Sequence, residues 1–345
     1  VSADNFGHKL VTWYLNNHRK LPWRETKDPY SIWLSEIILQ QTRVAQGRPY
    51  YEKFVSQHPN IQSFAAATEK EILHLWQGLG YYSRARNMHA TAKTIVADYG
   101  GTFPETYKEL LKLKGVGDYT ASAIASFAFD EQTPVVDGNV FRVLSRYYGI
   151  EQDIAIPSTR KVFKEAASLS IPEGKAAVFN QAIMEFGAVQ CTPIAPKCAD
   201  CVLSDSCFAF RYAAQSRLPV KTKKTKIRER FLNYVVLRND DKIALKERTE
   251  RDIWKGLYDF FSVETAHAQS EWMQALPHSF SSNLPVLKAG PIKHLLSHQH
   301  LHLSFWELTL PTNTVLPAGF QWYTLQQTLE LPKPLPVNVY LNDFL

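Results

Sequence analysis

All four cysteines of this 345-residue chain fall in one short stretch, Cys191, Cys198, Cys201 and Cys207, spaced C-x6-C-x2-C-x5-C. Four thiols this close favour a loop folded around a shared inorganic group. A [4Fe–4S] cluster and a zinc ion both take four cysteine ligands. Two disulfides would suit a small secreted chain, but this chain is long and holds no other cysteine. Structural zinc sites usually come as two C-x2-C pairs, and here only Cys198 and Cys201 form one. The spacing therefore points to the cluster first.

Composition sets the frame for that loop. Apolar residues make up 45% of the chain, enough for ordinary cores. The length suggests two or three domains. Lys and Arg number 39 against 33 Asp and Glu, a mild excess that permits a polyanionic partner. No apolar run approaches membrane-spanning length, and the N-terminal residues show no signal-peptide pattern. A reducing intracellular compartment is expected, cytoplasm or nucleoid if the source is bacterial. Nothing signals oligomerisation, so a monomer is expected.

Up to about Arg211 the apolar spacing is helical. Segments 5–16, 31–42, 69–76, 85–99, 107–113, 120–129, 140–148, 159–168 and 176–186 each carry it, punctuated by Gly and Pro. We expect an all-α domain of roughly ten helices over residues 1–211, closed by the cysteine loop at 191–207. Residues 212–230 read as a basic linker, lying on a phosphate backbone or simply solvated. Residues 231–345 read as a small α+β domain. A hairpin is expected at 233–245, a strand at 300–306 and a short helix at 271–276.

Three features carry chemistry. Gly115, Val116 and Gly117 join two helices, and glycines there bring backbone N–H groups towards a phosphate. An ordinary helix–helix turn would look the same. Asp137 stands at an expected helix N-terminus, where a cap is the plain reading. Glu36 stands among apolar residues, where burial would raise its pKa; alone it would be a solvated or paired carboxylate. A protonated acid beside an ionised carboxylate is the pair that cleaves glycosidic bonds.

The glycine hairpin, the VDGNV segment around Asp137 and the cysteine array resemble, in order and spacing, the helix–hairpin–helix DNA glycosylases related to endonuclease III. The LPWR, SEIILQQTR, GLGYYSRARN, LKGVGDYTASAI and VVDGNVFRVLSR blocks are similar to the adenine-specific branch, and together they cover nearly all of residues 5–210. The resemblance implies a [4Fe–4S] cluster on Cys191, Cys198, Cys201 and Cys207. It also implies duplex DNA as partner, with adenine opposite 8-oxoguanine or guanine. Glu36 would be the general acid and Asp137 the stabiliser of the sugar cation, with Asn139 and Tyr119 orienting Asp137 and the sugar. Where lyase relatives carry a nucleophilic Lys this chain has Tyr119, so a monofunctional glycosylase is expected. Leu21, Trp23, Arg24 and Gln181 would line the adenine pocket. Gln41, Tyr81, Tyr82, Gly115, Val116 and Gly117 would contact DNA, with core packing as the alternative for the tyrosines and for Trp23. Lys197 and Arg211 could reach phosphates beside the cluster.

Residues 253–261 resemble a strand of the Nudix-like domain that follows in that branch. The metal-binding Nudix box is not found between Gly256 and Leu310, so recognition rather than pyrophosphate hydrolysis is expected. Leu296, Ser297 and His298 match the loop that contacts 8-oxoguanine, with Leu296 in place of the usual Phe. His294, His298, His300 and His302 are dense enough to suggest metal, but strand alternation accounts for the last three. A bifunctional glycosylase/lyase and a non-catalytic iron–sulfur DNA-binding protein are the competing readings; Tyr119 opposes the first, and the Glu36–Asp137 pair the second.

Overall fold

A computed structural model describes residues 3–222, 227–267, 271–280, 284–311 and 313–344. The chain divides into two compact units, residues 1–66 with 87–223 and residues 67–86 with 224–345. In chain order the helical part runs α1 (Ala3–Asn17), α2 (Pro29–Ile38), α3 (Val44–Gln57), α4 (Ile61–Ala66), α5 (Glu69–Leu75), α6 (Ser83–Asp98), α7 (Tyr107–Leu110), α8 (Asp118–Phe129), α9 (Gly138–Tyr148), α10 (Thr159–Ser168), α11 (Ala176–Val189) and α12 (Phe208–Arg211).

In the first unit α1, α9 and α11 pack around one core. Phe6, Leu10, Val140, Leu144, Phe179 and Ile183 are each fully buried there. The helices start where the chain offers caps. Asp28 accepts from the N–H groups of Tyr30 and Ser31, with Pro29 opening α2. Asp137 accepts from Val140 N–H to open α9. Gly149 ends α9 with φ 72°, a left-handed conformation that suits glycine.

Two expectations need correction here. Apolar spacing extends α2 to Thr42, but the helix stops at Ile38 and gives way to turns, with Gln41 at φ 57°. Helix α3 is not among the expected segments; it contains Pro49, although its buried residues Gly47, Tyr51 and Phe54 recur at helical spacing. It forms because Tyr51 and Phe54 are buried and Gly47 lets it approach α2 closely. A Cβ on Gly47 would sit 2.8 Å from the Leu39 side chain.

The second unit holds β1 (Arg228–Asn239), β2 (Lys242–Glu247), β3 (Tyr258–Asp259), β4 (Phe261–Thr265), β5 (Val286–Leu295), β6 (Gln299–Thr309) and β7 (Gln321–Thr324), then α13 (Leu325–Leu329) and α14 (Leu335–Phe344). The sheet order is β3-β2-β1-β6-β5, with β4 also paired to β1 and β7 to β2. The expected hairpin forms around Asp240 and Asp241, with Asn239 opposite Lys242. β1 lies parallel to β6 and antiparallel to β4. It is buried on both faces, which its run Tyr234, Val235, Val236, Leu237 permits. Tyr234, Phe305 and Tyr340 of α14 stack beneath one face. Val235, Leu237, Trp272 and Phe280 fill the other.

Residues 253–257 form a turn rather than the start of a strand, with Trp254 at φ 64° and Gly256 at φ 82°; strand pairing begins only at Tyr258. The segment 271–276 contains a 3-10 turn, Trp272–Ala275, in place of an α-helix. The expected linker 212–230 is partly structure. Leu218 is buried, Thr222 bonds Asp153, and Arg228 already belongs to β1. Residues 223–226, three lysines and a threonine of that linker, lie outside the described residues. No helix among the described residues is long and apolar enough to cross a membrane.

Candidate active site

Helices α2, α8, α9 and α11 place their side chains around one open cleft of about 190 Å³ in the first unit. Glu36 enters from α2, Tyr119 from the start of α8, Asp137 and Asn139 from the start of α9, and Gln181 from α11. Leu21, Trp23 and Arg24 line the same cleft. A second cleft shares Glu36, Tyr119 and Asp137 with the first and adds Gln41 and Gly138. Residues spread over 160 positions of sequence thus meet around two carboxylates.

Their environments differ. Glu36 is 7% exposed, and burial raises its pKa to about 7. The Tyr119 hydroxyl donates to its Oε2 at 2.5 Å and opposes part of that rise, while the charge of Asp137 adds to it. Burial also raises Asp137, while Val140 N–H at 2.8 Å and Asn139 Nδ2 at 2.8 Å, both donating to its carboxylate, oppose that rise. Near neutrality Glu36 can therefore hold its proton. Tyr119, expected to orient Asp137 and the sugar, bonds Glu36, which it faces from the first turn of α8 across the last turn of α2, and also lies within electrostatic reach of Asp137.

One carboxylate of the cleft carries no motif. Glu185 of α11 is fully buried and accepts from Arg19 Nε at 2.7 Å and Arg24 Nη2 at 2.8 Å. Those guanidiniums draw its pKa down to about 2 despite its burial. Arg24 is therefore a paired wall residue. Gln181 accepts from the Tyr14 hydroxyl at 2.6 Å, which leaves its amide NH2 as the donor facing the cleft. A carboxylate among Ala182, Ile183 and Phe186 was the one available sequence sign of Glu185. Trp23 is both core and wall, packed edge-on against Tyr51.

The glycine hairpin is exposed at Gly115 and Gly117, while Val116 is buried. Helix α6 braces it: a Cβ on Gly115 would lie 2.7 Å from Asn87, and Thr91 Oγ1 donates to Lys114 O at 2.5 Å.

The four cysteines are unpaired and line a single cavity of the first unit. Among the described residues no group of three or more His, Cys, Asp or Glu is placed to hold one metal ion. Four thiols lining one cavity fit a group held by four sulfurs. Arg142 and Arg146 are buried at 8% and 3% exposure, and among the described residues neither has a carboxylate in salt-bridge reach. Arg146 donates to Cys191 Sγ at 3.4 Å and Thr192 O at 2.7 Å. Arg142 donates to Cys191 O at 2.8 Å and to Asn139 Oδ1 at 2.7 Å, joining the cysteine loop to the residue that holds Asp137. The charge of Asp137 reaches Arg142, but neither arginine forms a salt bridge among the described residues, and two buried cations beside four thiols fit an anionic group held by thiolates.

In the second unit, Tyr81 (φ 48°) and Tyr82 part ways. Tyr82 is buried and its hydroxyl accepts from Gly78 N–H, whereas Tyr81 is 39% exposed. The Tyr81 hydroxyl hydrogen-bonds Ser297, and its ring lies 6.3 Å from that of His298. Leu296, Ser297 and His298 form the β5–β6 turn and line a cleft of about 430 Å³ with Tyr81, Asp252 and Trp254. Arg230 fixes this region from below by bonding Asp252, Glu264 and Gln299. His300 and His302 both bond Glu229, and His294 packs near Trp254, which disperses the histidines.

Residues 34–170 match the HhH-GPD superfamily of base excision DNA repair proteins, and residues 233–343 match the NUDIX domain. A DNA glycosylase scaffold carrying a NUDIX-type domain is the class that this fold and cleft define. Adenine DNA glycosylase of Buchnera aphidicola (subsp. Schizaphis graminum) is 35% identical over 98% of both chains. That of Rattus norvegicus is 32% identical, over 93% of this chain and 74% of its own. A solved structure described as a thermostable thymine-DNA glycosylase aligns at 31% identity and a TM-score of 0.56, covering 61% of this chain and 97% of its own. The chain belongs to the adenine DNA glycosylase family.

Proposed function

We propose that this DNA N-glycosylase of base excision repair removes adenine paired with 8-oxoguanine or guanine, as a monomer acting on duplex DNA in a reducing compartment. The observation that carries the mechanism is the pair of buried carboxyls in one cleft, Glu36 raised by burial to about 7 and bonded by Tyr119, Asp137 bonded by Val140 N–H and Asn139. The adenine is flipped from the duplex into the cleft. Glu36 donates its proton to N7, and the bond between N9 and the sugar breaks with its electron pair leaving on the base. Asp137 stabilises the sugar cation. Water then adds to C1′ and returns a proton to the Glu36 carboxylate, restoring the starting state. Tyr119 stays protonated, since burial and the neighbouring carboxylates raise it well above its usual range. It can orient Glu36 but cannot form a Schiff base, so the DNA strand stays intact.

Gln41 and Tyr81, both in left-handed backbone conformations that often mark functional strain, would each wedge into the duplex. The hairpin amides of Gly115 to Gly117, with Lys197 and Arg211, contact phosphates. Ser297 and His298 read the base opposite the adenine, and Leu296 gives that loop an aliphatic rather than aromatic contact.

A single-turnover assay on a duplex with adenine opposite 8-oxoguanine tests this. Strand breaks are expected only after alkali, and Asp137→Asn is expected to abolish them. Breaks without alkali would make the chain a lyase, and no base release at all would sink the adenine assignment.

Cys191, Cys198, Cys201 and Cys207 would hold a [4Fe–4S] cluster, whose role here is to fix the loop, and through Arg142 to fix Asn139. Reconstituted protein should bind iron and sulfide together. Cys198→Ser should lose both and melt at lower temperature. Zinc retained in place of iron would overturn this part.

A further inference from the structure

We propose that Arg160 binds a backbone phosphate of the DNA strand at the extruded nucleotide, and so sets the depth at which the sugar meets Asp137. The proposal rests on the reading that the cleft receives that nucleotide.

Arg160 is the cation that lines the outer cleft beside Glu36, Asp137 and Gln41. The cations of the inner cleft, Arg19 and Arg24, are taken by Glu185. Arg160 makes no salt bridge among the described residues. Asp118 is near enough to feel its charge but is engaged by Lys164 and by the Tyr107 hydroxyl. The guanidinium is not loose. It lies over the Phe141 ring, 5.8 Å from its centre, and that ring is held edge-on by Phe163.

Two costs argue against a purely structural role. Arg160 and Lys161 sit in the first turn of α10, where the helix dipole disfavours cations and where this helix carries no acidic residue. The reaction also develops positive charge on the sugar, so an uncompensated guanidinium at the same cleft would oppose it. Both costs vanish when the substrate brings an anion. The anion that every DNA substrate brings is its phosphodiester, which guanidinium grips with two parallel hydrogen bonds.

The test measures binding to duplexes whose target adenosine carries a 2′-fluoro group, which resists base release. Single neutral methylphosphonate linkages are placed in turn at the phosphates flanking that nucleotide, with wild-type and Arg160→Gln protein. One linkage is expected to cost the wild type roughly tenfold in affinity and the variant almost nothing further. The log–log salt dependence of Arg160→Gln binding should be shallower by about one unit, with Arg160→Lys retaining most of the slope. Additive losses, or an unchanged slope, would overturn the proposal. The neutral-linkage series on wild-type protein decides the matter even if the variant folds poorly, since no sensitive linkage means no contact. Base release from the unfluorinated duplex is followed in parallel. Release together with additive losses overturns Arg160 alone, whereas no release overturns the adenine reading.

Discussion

Replacing Glu36 with Gln is expected to slow adenine release by about 10² to 10⁴-fold while making the folded protein more stable above neutral pH. Both effects have one cause. The carboxyl is buried, so its pKa rises from 4.5 to about 7 on folding. Between those values the folded chain holds a proton that the unfolded chain has lost. Stability therefore falls as pH rises through this window, and the loss is complete above about 7. It amounts to something on the order of 3 kcal/mol. Gln keeps an acceptor for the Tyr119 hydroxyl and carries no charge, so denaturant titrations at pH 8 should favour the variant, with the gap closing towards pH 4.5. In the wild type, single-turnover rates should fall as pH rises past about 7, because the acid has lost its proton. They should also fall at low pH as Asp137 protonates. The variant should lack the upper break. Parallel stability curves for the two proteins would mean that Glu36 is solvated, and the acid role would then lose its physical basis.

The residues that meet in the cleft were legible to very different degrees. Glu36, Tyr119 and Asp137 each sit inside a short local pattern, a polar residue in an apolar helix or a residue following a glycine turn. The cysteines announced themselves by spacing. Glu185 did not, because its meaning lies in Arg19, 166 positions away, and no local pattern encodes a partner so distant. Gln181 was named by resemblance, but its partner Tyr14 is the same case as Arg19, 167 positions away. Elements followed a similar rule. Helices α8 and α9 and the β1–β2 hairpin carry their own caps or turn residues. β5 is an edge strand exposed on both faces, so it shows no alternation, and pairing with β6 alone defines it. The stretch 253–257 illustrates the converse. It has strand-like composition, yet Trp254 and Gly256 both adopt positive φ, and a turn results.

The opposite carboxyl of the same cleft should respond in the opposite sense. Glu185→Gln is expected to destabilise the protein by about 3–5 kcal/mol, the usual cost of breaking a buried ion pair from one side. Glu185 is fully buried and takes bonds from Arg19 Nε and Nη2, from the Arg19 backbone N–H and from Arg24 Nη2. Gln can satisfy few of these donors, and its own NH2 would face a guanidinium. Arg24, with a side chain only 13% exposed, would then either stay buried without a counter-ion or swing out and open the cleft wall. The pairing lowers the Glu185 pKa from 4.5 to about 2. Its contribution is thus fully present above about 4.5 and is lost as pH falls towards 2, the reverse of Glu36. Replacing Arg24 and Glu185 together by Met removes the charge imbalance between them, although Arg19 then turns to solvent, where 42% of its side chain already lies. That double variant should recover part of the lost stability, since apolar groups of similar volume often substitute for a buried pair at little cost. It should not recover adenine release, because the pocket wall would be rebuilt without Arg24. A Glu185→Gln protein as stable as the wild type at pH 7 would show that water reaches both guanidiniums, and that the pair shapes the cleft without holding it together.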